Sequence, residues 1–468
     1  MNRSVGRAAP ARPLLEHPPL PAAPKRFSAR WLAAQLCALD GPLRGRRFCL
    51  AFSGGLDSSV LLASLAMLRQ REGFALRALH VDHGLHPESA RWAQAARAEA
   101  RRLRVPCEIL RLRIERRRGE SLEALAREQR YGALTARLGA EERLLTAHQQ
   151  DDQLETVLLA LLRGSGVRGL SAMSPRSAIA HTLLLRPLLP VPRLELERFG
   201  RARGLHWSED QSNLDERFDR NYLRRQVLPL LKRRWPAAAA TVSRSAALLA
   251  EAQGLLERAA RRGAVRAADG AALRISVLRA MPAAQRRNVL ACWIAARGLI
   301  GPDHRRLREI AGPMLEARSD ALPRVHWPGG ELRRHGDRLL ALAQPPPGRG
   351  GAIEKWDWKR SRWLSLGGGS TLRLIADRHG DLDLGLLPCP LRVDFRHGGE
   401  RLREAHGHLA LKDLLQSRGI MPWERSLVPL LRDQARIVAV ADLWVDAAYR
   451  ARGPPTGSRA RFRWRRSN

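Results

Sequence analysis

The stretch Phe48-Cys-Leu-Ala-Phe-Ser-Gly-Gly-Leu-Asp-Ser-Ser-Val-Leu-Leu62 changes character twice within a few residues. Phe48 to Phe52 is a continuous apolar run, the pattern of a strand covered on both faces. Gly54 and Gly55 follow. Lacking Cβ atoms, they let backbone N–H groups approach an anion closely and adopt φ > 0 at little cost. Ser58-Ser-Val-Leu-Leu62 then opens a helix, whose unpaired amides and positive dipole end face the same point. Strand, turn and helix together predict a phosphate cradle, with the Ser53 and Ser58 hydroxyls as extra donors. An ordinary glycine-rich turn is the plain alternative. The complete run Ser53-Gly-Gly-Leu-Asp-Ser58 in this context favours the cradle.

A Walker loop would need a lysine on the phosphates, and no lysine lies between Lys25 and Lys232. Ser53 to Ser58 instead resembles the SGGxDS loop of the N-type ATP pyrophosphatases (the PP-loop family). Members cleave ATP between its α and β phosphates and transfer AMP. The resemblance implies that ATP is bound by Ser53, Gly54, Gly55, Leu56, Asp57 and Ser58.

Working outward, strands are expected at Leu76–Asp82, Glu108–Ile114 and Arg143–His148. Helices are expected at Ser58–Arg69, Ser89–Arg104 (Ser89 as N-cap), Ser121–Leu138 and Asp151–Arg163. This rhythm predicts an α/β fold with a doubly wound parallel sheet of Rossmann-like form. Ligands of such sheets bind at the carboxyl ends of the strands. Three of those ends carry polar clusters: Ser53-Gly-Gly, Asp82-His83-Gly-Leu-His86 and His148-Gln-Gln-Asp-Asp-Gln153. In the last, Asp151, Asp152 and Glu155 share nearly one helix face. As helix caps they need no ligand. Beside a phosphate cradle they could hold Mg²⁺ or receive a cationic substrate.

Further motifs narrow the resemblance. Val81-Asp-His-Gly-Leu-His-Pro-Glu-Ser89, Ala126-Arg-Glu-Gln-Arg-Tyr131 and Thr146-Ala-His-Gln-Gln-Asp-Asp-Gln-Leu-Glu-Thr156 follow in order. So do Arg186-Pro-Leu-Leu189, Asp210-Gln-Ser-Asn213 and Arg220-Asn-Tyr-Leu-Arg224. Together they resemble the tRNA(Ile)-lysidine synthetase family. The resemblance implies adenylation of the wobble cytidine of a tRNA(Ile) with a CAU anticodon, then displacement of AMP by free L-lysine. ATP contact then extends to Asp82 and His83. Catalytic or lysine-binding roles fall on Arg127, Arg130, His148, Asp151, Asp152 and Glu155, and tRNA or substrate contact on Arg220, Asn221 and Arg224. For the arginines, a solvated basic helix face is the plain alternative. Mg²⁺ would come with ATP, with Asp57 and Asp152 as candidate contributors and no site of protein ligands alone. The family's usual His-His pair is His148-Gln149 here, so only His148 carries over. The base that frees the attacking amine is left open.

Net charge is +36, from 82 basic and 46 acidic residues, and nearly all the basic ones are arginine. Such an excess suggests a polyanionic partner; genome-wide arginine bias is the alternative. The five cysteines form no C-x-x-C pair, which fits a reducing cytoplasm and argues against one kind of tRNA thiolase, the main rival enzyme. An amidotransferase would want a cysteine after Met1, where Asn2 stands. A non-catalytic RNA binder would have little use for clustered acids. No apolar run reaches transmembrane length.

The expected organisation is a disordered basic tail over 1–29, a PP-loop catalytic domain over 30–235 and a mainly helical tRNA-binding domain over 236–344. A linker over 345–355 and an α+β tRNA-binding domain over 356–468 follow. Helix Arg220–Leu231 is expected to end at Trp235-Pro236, and another to stop at Gly312-Pro313. The tail Arg459–Arg466 is read as disordered until RNA binds, or solvated. Trp423 and Trp444 read as core first and RNA contacts second. Oligomeric state is left open, with a homodimer as one option.

Overall fold

The computed structural model describes residues 23–84, 87–112, 122–208, 215–318, 321–343, 354–366, 370–404, 407–452 and 458–465. The basic tail up to residue 22, His86 and the Asp210–Asn213 motif lie outside them.

The first compact unit runs to Arg266 and takes in Ala284–Arg297. Its elements begin α1 (Ala29–Asp40), β1 (Arg47–Ala51), α2 (Leu56–Glu72), β2 (Ala75–Asp82), α3 (Ser89–Arg102), β3 (Cys107–Arg111) and α4 (Leu122–Ala136). They continue with β4 (Glu142–Leu145), α5 (Gln150–Leu162), α6 (Val167–Leu170), β5 (Arg176–Ile179), β6 (Thr182–Leu185) and α7 (Arg193–Ala202). The sheet order is β3-β2-β1-β4-β6-β5, parallel throughout except for the antiparallel edge strand β5.

β1 sits inside the sheet because both of its faces are apolar. Phe48, Leu50 and Phe52 pack on one side with Leu36 of α1, Leu61 of α2, Ala96 of α3 and Leu196 of α7. Cys49 packs on the other with Leu79, Leu110, Leu144, Leu184 and Leu134 of α4. The order reverses at β1, with β2 on one side and β4 on the other. The open crevice of such a sheet lies at that reversal, and it receives the segments that follow β1, β2 and β4.

The expected helix Arg220–Leu231 is interrupted. α8 (Asp219–Tyr222) passes into a π-helical turn, Leu223–Val227, before α9 (Leu228–Arg234). Pro229, at the start of α9, lacks the N–H that a continuous α-helix would use there, which favours the wider turn. Pro313 sits likewise in a π turn at Ile310–Met314, where the sequence suggested a stop. Helix α10 (Ala238–Ala267) follows in the first unit. A small core of Leu154, Leu228 and Ala239 packs α9 and α10 on α5.

The second unit comprises Ala267–Ala283 and the chain from Gly298. It holds two five-stranded sheets, a four-stranded sheet and a two-stranded ribbon. Trp444 is buried there, its Nε1–H donating to Glu404 at 2.6 Å. Trp423 lies half-buried under the Arg333 guanidinium at 5.1 Å. The C-terminal tail departs from expectation. Arg459–Arg465 is a strand of the four-stranded sheet, paired with both Thr371–Ala376 and Leu382–Asp383. Its alternation explains this: Ala460 and Phe462 turn into the core while the arginines face out. Phe462→Ala is expected to destabilise this unit by about 3–5 kcal/mol. Denaturant unfolding would read it, and a loss no larger than that of a surface substitution would return the tail to the solvent.

Candidate active site

The loop after β1 has the geometry of an anion cradle. Gly54 adopts φ +82°, which strongly favours glycine, and a Cβ there would also crowd the Ala96 Cβ at 3.2 Å. The Ser53 and Ser58 hydroxyls share a hydrogen bond of 3.0 Å, and the Ser58 hydroxyl also reaches the Gly55 carbonyl at 3.0 Å. Two residues outside the motif grip the loop's carbonyls. His80 Nδ1 lies 2.9 Å from the Phe52 oxygen. The Ser208 amide donates to the Gly54 oxygen at 3.1 Å. Within the loop the Gly55 amide donates to the Ser53 hydroxyl at a long 3.4 Å, a bond that an anion would readily replace. The sequence reading missed His80 and Ser208; the signal for His80 was a polar residue set among the apolar Ala78, Leu79 and Val81 of β2.

The acids after β4 are not an empty pocket for a cation. Asp152 accepts from Arg224 Nη2 at 2.7 Å, and Glu155 takes the same guanidinium at 3.0 Å through Oε2 and again through its Nε. Arg220 stands 3.8 Å from Glu155. Asp151 accepts from Lys232 Nζ at 2.6 Å. Burial pushes the Glu155 carboxyl up, while Arg224, shared between two carboxylates, is held firmly charged. Lys232 escaped the sequence reading; its signal was a lysine in a chain built almost wholly on arginine.

The acid left over is Asp57, in the first turn of α2. Its Oδ1 is buried with no hydrogen-bond partner. Burial, then Asp152, push its carboxyl up to about 7, against the pull of Arg193 and Arg224. An orphaned carboxylate oxygen beside a phosphate cradle fits a cation carried on ATP phosphates. Among the described residues no cluster of three or more His, Cys, Asp or Glu could hold a metal alone. A Mg²⁺ that keeps phosphate and water ligands needs no such cluster.

His148 follows β4, its Nδ1 2.9 Å from the Thr146 hydroxyl. Burial and the charges of Arg186, Arg130, Arg127 and Arg220 push it well below the usual histidine range, so it is neutral at neutral pH. Burial also works against the charges of Arg130 and Arg186. An arriving anion would relieve that cost. Arg127 and Arg130 lie 5.2 and 5.4 Å from the centre of the Tyr131 ring. Gln149, where the family pattern has its second histidine, is the N-cap of α5. Its Oε1 accepts from the Asp151 amide at 2.7 Å, and its own amide donates to Asp152 at 2.9 Å.

The remaining residues are tied locally. Asp82 is buried and accepts from the Gly84 amide at 3.0 Å, with His83 half-buried beside it. Asn221 is buried and donates to the Asp215 carbonyl at 2.9 Å, so its side chain serves the chain itself.

The PP-loop domain model matches residues 30–231, the TilS substrate binding domain 273–340 and the TilS substrate C-terminal domain 391–464. A tRNA(Ile)-lysidine synthase from Alkalilimnicola ehrlichii is 42% identical over 429 residues, covering 91% of this chain and 95% of that protein. This chain belongs to the tRNA(Ile)-lysidine synthase family. A lysidine synthase from Coxiella burnetii is 36% identical over 417 residues, covering 88% of this chain and 92% of its own. Among solved structures, a U34-tRNA thiolase from Methanococcus maripaludis covers 47% of this chain and 78% of its own at 13% identity and a TM-score of 0.39, too distant to bear on the reaction. In the first unit the Thr146–Thr156 and Arg220–Arg224 motifs meet at the Arg224 pairs, with Asp57 of the cradle near enough to feel Asp152 and Arg224.

Two variants test this electrostatic arrangement. Arg224→Gln leaves buried Asp152 without its cation and Glu155 with only the more distant Arg220, and is expected to cost about 3–5 kcal/mol of stability. Adding Glu155→Gln should recover part of it, and strictly additive losses would mean the pair is not coupled. Asp57 behaves oppositely. Its folded pKa lies above the unfolded value of 3.8. Stability from this group is therefore full at low pH and is lost as pH rises towards about 7. In metal-free buffer, Asp57→Asn should gain stability over the parent by an amount that grows with pH and then levels off. A gain that does not vary with pH would contradict the raised carboxyl.

Proposed function

We propose that this protein joins the ε-amine of free L-lysine to C2 of the wobble cytidine in a tRNA(Ile) with a CAU anticodon. ATP is converted to AMP and pyrophosphate through an adenylated cytidine. The observation that carries this reading is the pairing of a phosphate cradle with a desolvated arginine cluster around a neutral histidine. The family and its PP-loop domain supply the substrate class.

In the first step the cytidine C2 oxygen attacks the α-phosphate and pyrophosphate leaves. Negative charge builds on the α-phosphate oxygens, where preorganised donors in a dry site act most strongly. The loop amides, Arg127 and Arg130 would act as such donors, while Arg186 donates to the Ser174 carbonyl and contributes its charge. Asp57, with Asp152 close by, would hold the Mg²⁺ carried on ATP, which would supply positive charge at the phosphates. In the second step the lysine amine attacks C2, AMP leaves with the oxygen, and the amine gives up a proton. Asp151, Asp152 and Glu155 with Arg220, Arg224 and Lys232 form a mixed-charge surface, which suits a zwitterionic amino acid better than a bare anionic pocket would. The reaction's need for ATP, tRNA and free lysine places the protein in the cytoplasm.

Purified protein given ATP, Mg²⁺, radiolabelled lysine and CAU-anticodon tRNA(Ile) is expected to incorporate lysine and release AMP and pyrophosphate. Release of ADP, or thiolation without lysine, would overturn the proposal. Within it, Arg130→Ala should lower kcat about a hundred- to a thousand-fold, with a much smaller change in the KM for ATP. A change confined to KM would make Arg130 a binding residue only.

A further inference from the structure

The four-stranded sheet of the second unit has one face that folding alone does not explain. Ala460 and Phe462 of strand Arg459–Arg465 point inward, so Arg459, Arg461, Arg463 and Arg465 line the outer face. The strand register sets Arg463 directly opposite Arg373 of strand Thr371–Ala376. It sets Arg373 in turn opposite Trp363 of strand Trp363–Ser365. Trp363, Arg373 and Arg463 thus form one row across three strands.

Two features of this row disfavour the free protein. Like charges directly opposite each other destabilise a sheet. Arg461 is paired with Asp377 at 2.7 Å, but Arg373, Arg463 and Arg465 have no carboxylate partner among the described residues. Trp363 is 58% exposed, whereas the nearby Trp356 and Trp358 are buried. The turn leading into Trp363 adds exposed Lys359, Arg360 and Arg362. A hollow next to Arg461 and Arg463 is also lined by Asp381 and Asp442, and lacks this one-signed charge.

A row of unpaired guanidinium groups beside an exposed indole complements a polyanion that carries aromatic rings. We propose that this sheet face is an RNA-docking platform, on which Trp363 stacks on an unpaired base of the tRNA while Arg373, Arg463 and Arg465 neutralise the flanking phosphates. The proposal rests on tRNA being the substrate. It goes further in naming the face, the stacking residue and the phosphate contacts.

Binding of CAU-anticodon tRNA(Ile) to the full-length protein over a range of salt concentrations tests it, alongside lysine incorporation at saturating tRNA. R373Q/R463Q should reduce the magnitude of the salt slope by about 0.7–0.9 for each arginine, with kcat unchanged. W363A should weaken binding about 5- to 150-fold with the slope unchanged, and W363F should restore most of the affinity. If the parent incorporates lysine and every variant binds with the parental slope and affinity, the platform is refuted and the proposed reaction stands. If the variants lose affinity as described but the parent incorporates no lysine, the platform stands and the reaction is wrong.

Discussion

Arg224 bridges two buried carboxylates from one position, and the site is built around that contact. Asp152 and Glu155 lie on α5, beside the crevice of the sheet, while Arg224 arrives from a segment some seventy residues later in the chain. Removing either side would strand charge in a poorly solvated place. The contact therefore ties the α8–α9 segment to the sheet and holds Arg220 and Lys232 in reach of the same helix. It also leaves Asp57 as the one acid of the group with an unsatisfied oxygen. Paired acids give the site its shape, and the unpaired acid leaves one buried carboxylate oxygen beside the cradle.

Charge is sorted by sign around the crevice. On one side lie the carboxylates with their internal cations. On the other, burial and the charges of Arg186, Arg130 and Arg127 keep His148 neutral, and Arg220, 3.8 Å from Glu155, bears on both groups. A nucleotide triphosphate and a zwitterionic amino acid need opposite surroundings, and a switch point between β1 and β4 can offer both within one cleft. Gln149 adds a detail. Its side-chain oxygen accepts the Asp151 amide at the helix end, and it has no titrating group of its own.

Much of the first unit was legible from residues alone, for physical reasons. The apolar run of β1, the double glycine and the acid-rich helix start each have one cheap structural solution. What escaped were features that depend on distant parts of the chain. His80 and Ser208 gained meaning only once β2 and the segment after α7 were placed against the loop. The three acids were visible in sequence, but their partners, Arg224 and Lys232, were not, so the acids read as vacant when they are filled. In the second half, Arg459–Arg465 was dominated by its charge. The alternation of Ala460 and Phe462 with arginine, which marks a strand, was passed over.

The π turn at Leu223–Val227 has a consequence for how the two cations line up. In an unbroken α-helix each residue advances about 100°, so Lys232, eight residues past Arg224, would point roughly 80° away from it. A π turn absorbs one residue, leaving an offset of only about 20° in the other direction. Both cations can then face α5, one reaching Asp152 and Glu155 and the other Asp151. The turn acts as a phase correction written into the helix by Pro229. Replacing that proline would keep every charged side chain in the sequence and still aim one of them at the wrong place, whereas losing one uncharged residue of the turn would leave a plain α-helix with the two cations in phase.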